Sequence, residues 1–213
     1  MKLIDMTVTD FASEVDSNSP APGGGSVSAL ASDIGVGLAR MMAHLSFGKK
    51  KFEALDDKTK EEFKVRFDKL GEIRTELSTL VDKDTESFNE FMKALKLPKE
   101  TDEEKVARAK TMEEATIFSI EVPYKTAKLS LESLKLLDFL VANGNQNAIT
   151  DIGVGTLMIA TGMEGAILNV KVNLMGLENK EIHDKYSKGC KDILSEGQKI
   201  KDDIIAKIHK QLD

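Results

Sequence analysis

Few side chains in this sequence are equipped for covalent or acid–base chemistry, and their types narrow what it can do. The three histidines, His44, His183 and His209, lie far apart and form neither a His-x-x-x-His nor a His/Cys pair, so no metal site is expected. His183 and His209 fall on a solvated tail. His44 sits among small residues, where a pocket position and a core position held by one hydrogen bond are both open. The single Cys190 cannot form an intrachain disulfide and has no base placed beside it, so it reads as inert. What remains is acid, amide and lysine chemistry: Asp84 and Asp151, Asn145 and Asn147, and the run Lys49-Lys50-Lys51. Carboxylates and amides grouped near glycine-rich turns suit proton transfer and the making or breaking of carbon–nitrogen bonds on a polar organic ligand.

Two loops are built to present such groups. In Ser19-Pro20-Ala21-Pro22-Gly23-Gly24-Gly25-Ser26 the prolines fix φ and withhold backbone donors, and the glycines leave the following backbone bare. Ser26 then reads as the N-cap of a helix, so Pro22, Gly23, Gly24, Gly25 and Ser26 are candidate ligand contacts at a helix N-terminus. An ordinary turn between two helices is the alternative. The second loop, Gly144-Asn145-Gln146-Asn147-Ala148-Ile149-Thr150-Asp151, sets three amides and an acid before another helix. Neither Gly35-Val36-Gly37 nor Gly153-Val154-Gly155 follows a strand, which removes a dinucleotide fingerprint.

The elements that would position these groups are helices. A short one is expected from Thr7 to Val15, and one rich in Ala, Ser and Gly from Ser26 to Phe47. Its small residues let another backbone approach, which places it centrally. From Asp56 to Leu95 apolar residues recur at three- and four-residue steps, Phe63 and Phe67 through Phe88 and Phe91 to Leu95, and Asp84 occupies the slot between Leu80 and Phe88. A carboxylate on an apolar stripe is costly unless paired or hydrogen-bonded, so Asp84 is the leading candidate for a perturbed pKa; a buried cap of a neighbouring loop is the structural alternative. Thr101-Asp102-Glu103-Glu104 reads as a capping box for a helix whose Val106, Ala109 and Met112 continue inward, and Pro123 is expected to kink or divide it. A second small-residue helix runs to Leu174 with Asn169 and Asn173 inside it, and an amphipathic tail spans Asn179 to Leu212. The fold class is therefore all-α: an up-and-down bundle of long amphipathic helices around two small-residue helices, as one domain over 1–213.

Composition sets further bounds. A net charge of −6 argues against a nucleic-acid partner held by phosphate contacts. The apolar run Ile152–Met163, 12 residues between Asp151 and Glu164, is too short to span a bilayer, and Met1-Lys2-Leu3-Ile4-Asp5 lacks the form of a secretory leader. A cytoplasmic protein without membrane contact is expected.

The order of these motifs resembles a known family. Ser19–Ser26, then Gly48-Lys49-Lys50-Lys51-Phe52, then Asp84 with Phe88, then Gly144-Asn145-Gln146-Asn147 with Thr150-Asp151 is similar to the cyclodeaminase/cyclohydrolase family of folate enzymes, over nearly the whole chain. Thr150 stands where that family usually has serine, which keeps the hydroxyl. The resemblance implies a helical homodimer with folate in a cleft near the subunit interface and no cofactor beyond the tetrahydrofolate substrate. It implies either cyclodeamination of 5-formiminotetrahydrofolate to 5,10-methenyltetrahydrofolate and ammonia, or hydrolysis of the methenyl compound to 10-formyltetrahydrofolate. Both reactions pass through a tetrahedral carbon bearing nitrogens and need a proton shuttle. Asp84 and Asp151 are then the candidate acid/base groups, Lys49, Lys50 and Lys51 would meet the carboxylates of the folate, polyglutamylated or not, and Gly23–Gly25, Asn145 and Asn147 would read the pterin or orient water. A non-catalytic helical scaffold or folate-binding module is the contrasting reading; it leaves Asp84 and the paired loops without a reason.

Overall fold

The computed structural model describes residues 1–213 and contains helices and no strands. After a 3-10 turn at Leu3–Asp5 come α1 (Val8–Val15), α2 (Gly24–His44), the single-turn α3 (Lys50–Glu53), α4 (Asp57–Leu95) and α5 (Asp102–Asn143). A 3-10 turn at Gln146–Ala148 then leads into α6 (Ile149–Leu174) and α7 (Lys180–Leu212). Side-chain caps fix four of the α-helix starts: Thr7, Asp56, Thr101 and Asn179 each accept a backbone N–H of the first turn. At Thr101 the Glu104 carboxylate also takes the cap residue's own N–H, completing the capping box.

α2 and α6 form the centre, antiparallel and in backbone contact. A Cβ on Gly35 would lie 2.7 Å from the Gly155 carbonyl oxygen, and one on Gly155 would lie 2.6 Å from that of Gly35. Farther along, a Cβ on Gly162 would come within 2.4 Å of the Ser28 carbonyl oxygen. Only glycine permits this approach, so the two helices richest in small residues pair backbone to backbone. α4 and α5 close one side and α7 the other. The stripe of α4 buries Phe63, Leu70, Ile73, Leu77 and Leu80, each stabilising the fold by about 1.5–3 kcal/mol. α7 contributes Tyr186, Cys190, Ile193, Ile204 and Ile208. Polar groups within this core find partners: the Ser32 and Ser130 hydroxyls meet at 2.8 Å, and Ser130 also donates to the Thr126 carbonyl. On the α2–α4 seam, buried Asp33 faces the Arg74 Nε at 3.3 Å; the alignment is poor, so this is charge proximity rather than a hydrogen bond.

Four sequence expectations need correction. α2 begins at Gly24 with Gly23 as its N-cap, so Ser26 lies inside the first turn, where its hydroxyl donates to the Val81 carbonyl. Of the two outcomes expected at Pro123, a kink or a division, the structure excludes division: α5 is one helix through it. Val106 and Ala109 are exposed, because the first turns of α5 stand away from the core. The apolar helix that includes Ile152–Met163 extends over Gln146–Leu174, long and apolar enough by composition to cross a membrane (mean hydropathy 1.3), with 50% of its most apolar window buried inside the bundle.

Candidate active site

The small-residue pairing of α2 with α6 stops short of one end of the bundle, and a cavity of about 1180 Å³ opens there. Its walls are the Pro20–Gly25 loop and the N-terminus of α2, α4 from Asp84 to Phe91, the first turns of α5, the last turns of α6, and the loop reaching Asn179. The backbone at Gly25 touches Asp84 so closely that a Cβ there would fall 2.0 Å from its Oδ1. The glycine block thus brings a helix N-terminus directly onto a carboxylate.

Asp84 is half-buried at the end of the apolar stripe of α4. Burial pushes its pKa above the ordinary 3.8, while the hydroxyl and backbone of Ser26 pull the other way without prevailing. The Ser26 Oγ has one hydrogen and sits 2.8 Å from the Val81 carbonyl but 3.2 Å from Asp84 Oδ2. That hydrogen serves one of the two acceptors at a time, and a protonated Asp84 would instead donate to Ser26. The same contact with an ionised Asp84 has Ser26 donating, so the pair accommodates both states. A carboxyl poised between the two is what a proton shuttle requires.

The opposite wall is fixed by a proline. Pro123 has no N–H, so the carbonyl four residues earlier, that of Ser119, loses its helical partner. The Asn173 Nδ2 on α6 fills the vacancy, donating to Ser119 O at 2.6 Å. One turn back, Asn169 Nδ2 donates to Gly165 O at 2.9 Å and lies beside Gly24. Both amides are pinned through nitrogen, which leaves their Oδ1 atoms as acceptors at the cavity wall. α5 therefore stays continuous at Pro123 because another helix supplies the missing donor. Phe88 and Phe91, one and two turns beyond Asp84, line the same space rather than the core, and Arg108 and Met112 face them from α5.

Of the residues singled out from sequence, Asp84, Gly23, Gly24 and Gly25 line this cavity; Ser26 stands behind Asp84, and Pro22 is buried beneath the loop. The others gather at the opposite end of α2, about 30 Å away for a 21-residue helix. Lys49, Lys50 and Lys51 are exposed around the start of α3. Asn145 binds the loop to the turn that follows α2: its N–H donates to Ser46 Oγ at 2.7 Å, its Nδ2 to Leu45 O at 3.0 Å, and its Oδ1 accepts from the Asn147 N–H. The Asn147 side chain is exposed, and Asp151 is half-buried in the first turn of α6. His44 is exposed at this end, edge-on to Phe67. Within one subunit the two loop systems do not meet. Arg108 and the role of Asn169 and Asn173 are not singled out from sequence, and Phe88 and Phe91 are placed there on the apolar stripe; two asparagines four apart in an otherwise small, apolar helix are a readable signal.

Residues 7–192 match the family model described as Formiminotransferase-cyclodeaminase. The chain is 33% identical over 190 residues to a protein named Methenyltetrahydrofolate cyclohydrolase from Methylorubrum extorquens, covering 89% of both. It is 31% identical over 196 residues to the Formimidoyltransferase-cyclodeaminase of Mus musculus and 34% over 196 residues to that of Dictyostelium discoideum. It spans 92% of its own length in each of these two matches, but only 36% and 35% of theirs. The crystal structure of formiminotetrahydrofolate cyclodeaminase from Thermotoga maritima superposes with a TM-score of 0.77 over 98% of this chain and 96% of that one; at 22% identity the likeness is one of fold.

Proposed function

The chain belongs to the formiminotransferase-cyclodeaminase family, and from that premise we propose that its cavity binds a tetrahydrofolate derivative and remodels the C–N bonds of the carried one-carbon unit. The observation that carries the reading is a carboxyl group with a raised pKa, pressed against a glycine-built helix N-terminus in a cavity of folate size. In cyclodeamination, N10 of 5-formiminotetrahydrofolate attacks the formimino carbon and gives up its proton to ionised Asp84. The carbon–nitrogen bond to the imino group then breaks. Its nitrogen, already bearing one hydrogen, takes the proton held by Asp84 and one more from solvent, leaving as ammonia from the methenyl cation. Asn169 and Asn173 accept hydrogen bonds from the donors on the pterin edge.

Methenyltetrahydrofolate hydrolysis is the second reading, favoured by the cyclohydrolase relative that matches this chain over 89% of both lengths. Asp84 then takes a proton from the attacking water and returns it to N5 as the C–N5 bond opens; the remaining hydroxyl proton leaves to solvent as the formyl C=O forms, giving 10-formyltetrahydrofolate. Ultraviolet absorbance tests both readings, because the methenyl compound absorbs where the formyl and formimino compounds do not. Growth of that band with ammonia release marks deamination and its loss marks hydrolysis. No change with either substrate would refute an enzymatic role on folate.

A homodimer fits the outer face of the central helices. Val27, Ile34 and Met41 of α2, Leu45 just after it, and Val154, Leu157, Leu168 and Val172 of α6 are large apolar residues left 37–60% exposed along one ridge. A two-fold axis perpendicular to α2 and α6 covers the ridge and brings the Lys49–Lys51, Asn145, Asn147 and Asp151 end of one subunit to the cavity of the other. In that arrangement the lysines meet additional glutamates of a polyglutamylated folate. We place the enzyme in the cytoplasm, with no cofactor beyond its folate substrate.

A further inference from the structure

The cavity has a charged end that neither the family resemblance nor the reaction accounts for. Arg108, on the second turn of α5, reaches back to the C-terminal end of α4, where its Nη2 donates to the Leu95 carbonyl at 3.3 Å. Its Nε is shut off from solvent and has no acceptor. By contrast, Arg66 and Arg74 each have a carboxylate within 4 Å, at 2.6 Å from Glu62 and 3.3 Å from Asp33, and Arg40 stacks on Phe67 and donates to its carbonyl. The acids that share the cavity with Arg108 are Asp84, Glu113 and Glu178, and none forms an ion pair with it. The other cation there, Lys110, is exposed and faces Glu114 at 3.9 Å. The buried Nε of Arg108 faces away from solvent, but the guanidinium lines the cavity with no carboxylate beside it, and a carboxylate is the acceptor whose shape its fork matches.

The spacing along α4 says which carboxylate. Asp84, Phe88 and Phe91 line the cavity in order, and Leu95, which anchors Arg108, is one turn farther. From Asp84 to Leu95 is 11 residues, a rise of about 16 Å. The wall thus reads acid, two aromatic faces, guanidinium. A ligand matching that order carries its reacting C–N group at one end, an aryl ring in the middle and a carboxylate at the other. We infer that Arg108 is the carboxylate-reading end of the site and binds the first glutamate of the folate tail, while Phe88 and Phe91 flank the aminobenzoyl ring. This rests on the folate reading above and assigns the tail to the same subunit that holds Asp84.

Calorimetric titration with 5-formyltetrahydrofolate and with 5-formyltetrahydropteroate, which lacks the glutamate, tests it. The wild-type protein is expected to bind the glutamate-bearing compound roughly 10- to 100-fold more tightly. Arg108→Ala should erase that difference while moving the pteroate compound less than twofold, and Arg108→Lys, keeping charge without the fork, should restore part of it. Thermal melting checks that each variant folds; should the alanine variant not, Arg108→Lys with Arg108→Gln carries the comparison. Equal weakening of both ligands, or no weakening of either, would overturn the assignment. A wild-type protein that bound neither compound would overturn the folate reading itself, and the assignment with it.

Discussion

If Asn173 takes the place of the donor that Pro123 lacks, the two residues must be energetically coupled although 50 positions separate them. Removing Asn173 alone, as Asn173→Ala, leaves the partly buried Ser119 carbonyl without a partner and should cost about 1–2 kcal/mol. Pro123→Ala restores the backbone N–H and lifts the helix-interior penalty of about 3 kcal/mol, but loses about 1.6 kcal/mol of ring packing at a buried site. Its net effect on stability should therefore be small and, if anything, favourable. Once residue 123 supplies the helical hydrogen bond, Asn173→Ala should cost under about 0.5 kcal/mol, so a double-mutant cycle by urea denaturation should return a coupling near 1 kcal/mol. The kinetic readout differs: Pro123→Ala lets the Asn173 amide swing, and KM for the folate substrate should rise about fivefold, the equivalent of 1 kcal/mol, with little change in stability. Additive unfolding energies within about 0.3 kcal/mol would refute the account.

Replacing Asp84 by Asn should lower kcat by about 10²- to 10⁴-fold without loss of helical circular dichroism. Acting first as base, Asp84 should also set an acid limb in kcat/KM whose midpoint lies above 3.8, absent from the variant. Stability follows the same shift with opposite sign to an ion-paired aspartate. With its pKa raised on folding, Asp84 holds a proton that the unfolded chain releases, so stability declines as pH climbs from the ordinary carboxylate range through the raised value. Asp84→Asn should therefore melt no lower than wild type at pH 7. Gly25→Ala offers better helix propensity by about 1 kcal/mol but forces a Cβ to within 2.0 Å of Asp84 Oδ1. The fold should persist and turnover should collapse, whereas retained turnover would show that the contact is dispensable. Ile34→Asp on the exposed ridge should convert a dimer to a monomer in light scattering and reduce turnover with it; a dimer that survives would remove the ridge from the interface.

The helices were legible because their causes are local: Thr101 with Glu104, Asp56 before its helix, and the three- and four-residue recurrence of Phe63 to Leu80 act within a few turns. Asp84 was legible for the same reason, as a carboxylate out of place on an apolar stripe. Phe88 and Phe91 fall on the apolar stripe because an aromatic cavity wall has the same periodicity as a core; only the departure of α5 from α4 distinguishes them, and that is tertiary. Pro123 shows the same limit from the other side. Its missing donor is written in the sequence, but whether the helix divides depends on an amide 50 residues later on a different helix.

The separation of the two loop systems, by contrast, follows from a quantity the sequence already contains. A helix of 21 residues holds its ends about 30 Å apart, so the glycine corner before α2 and the Lys49–Lys51 run after it can never face one cavity in the same subunit. Because α6 runs antiparallel to α2, its polar N-terminal loop is carried to the lysine end and its Asn169 and Asn173 to the glycine end. One chain therefore contains the Asp84 cavity at one pole and a cationic, amide-rich surface at the other. Only an operation that exchanges the poles can combine them, and a two-fold axis across the exposed α2–α6 ridge is the simplest symmetry that does so.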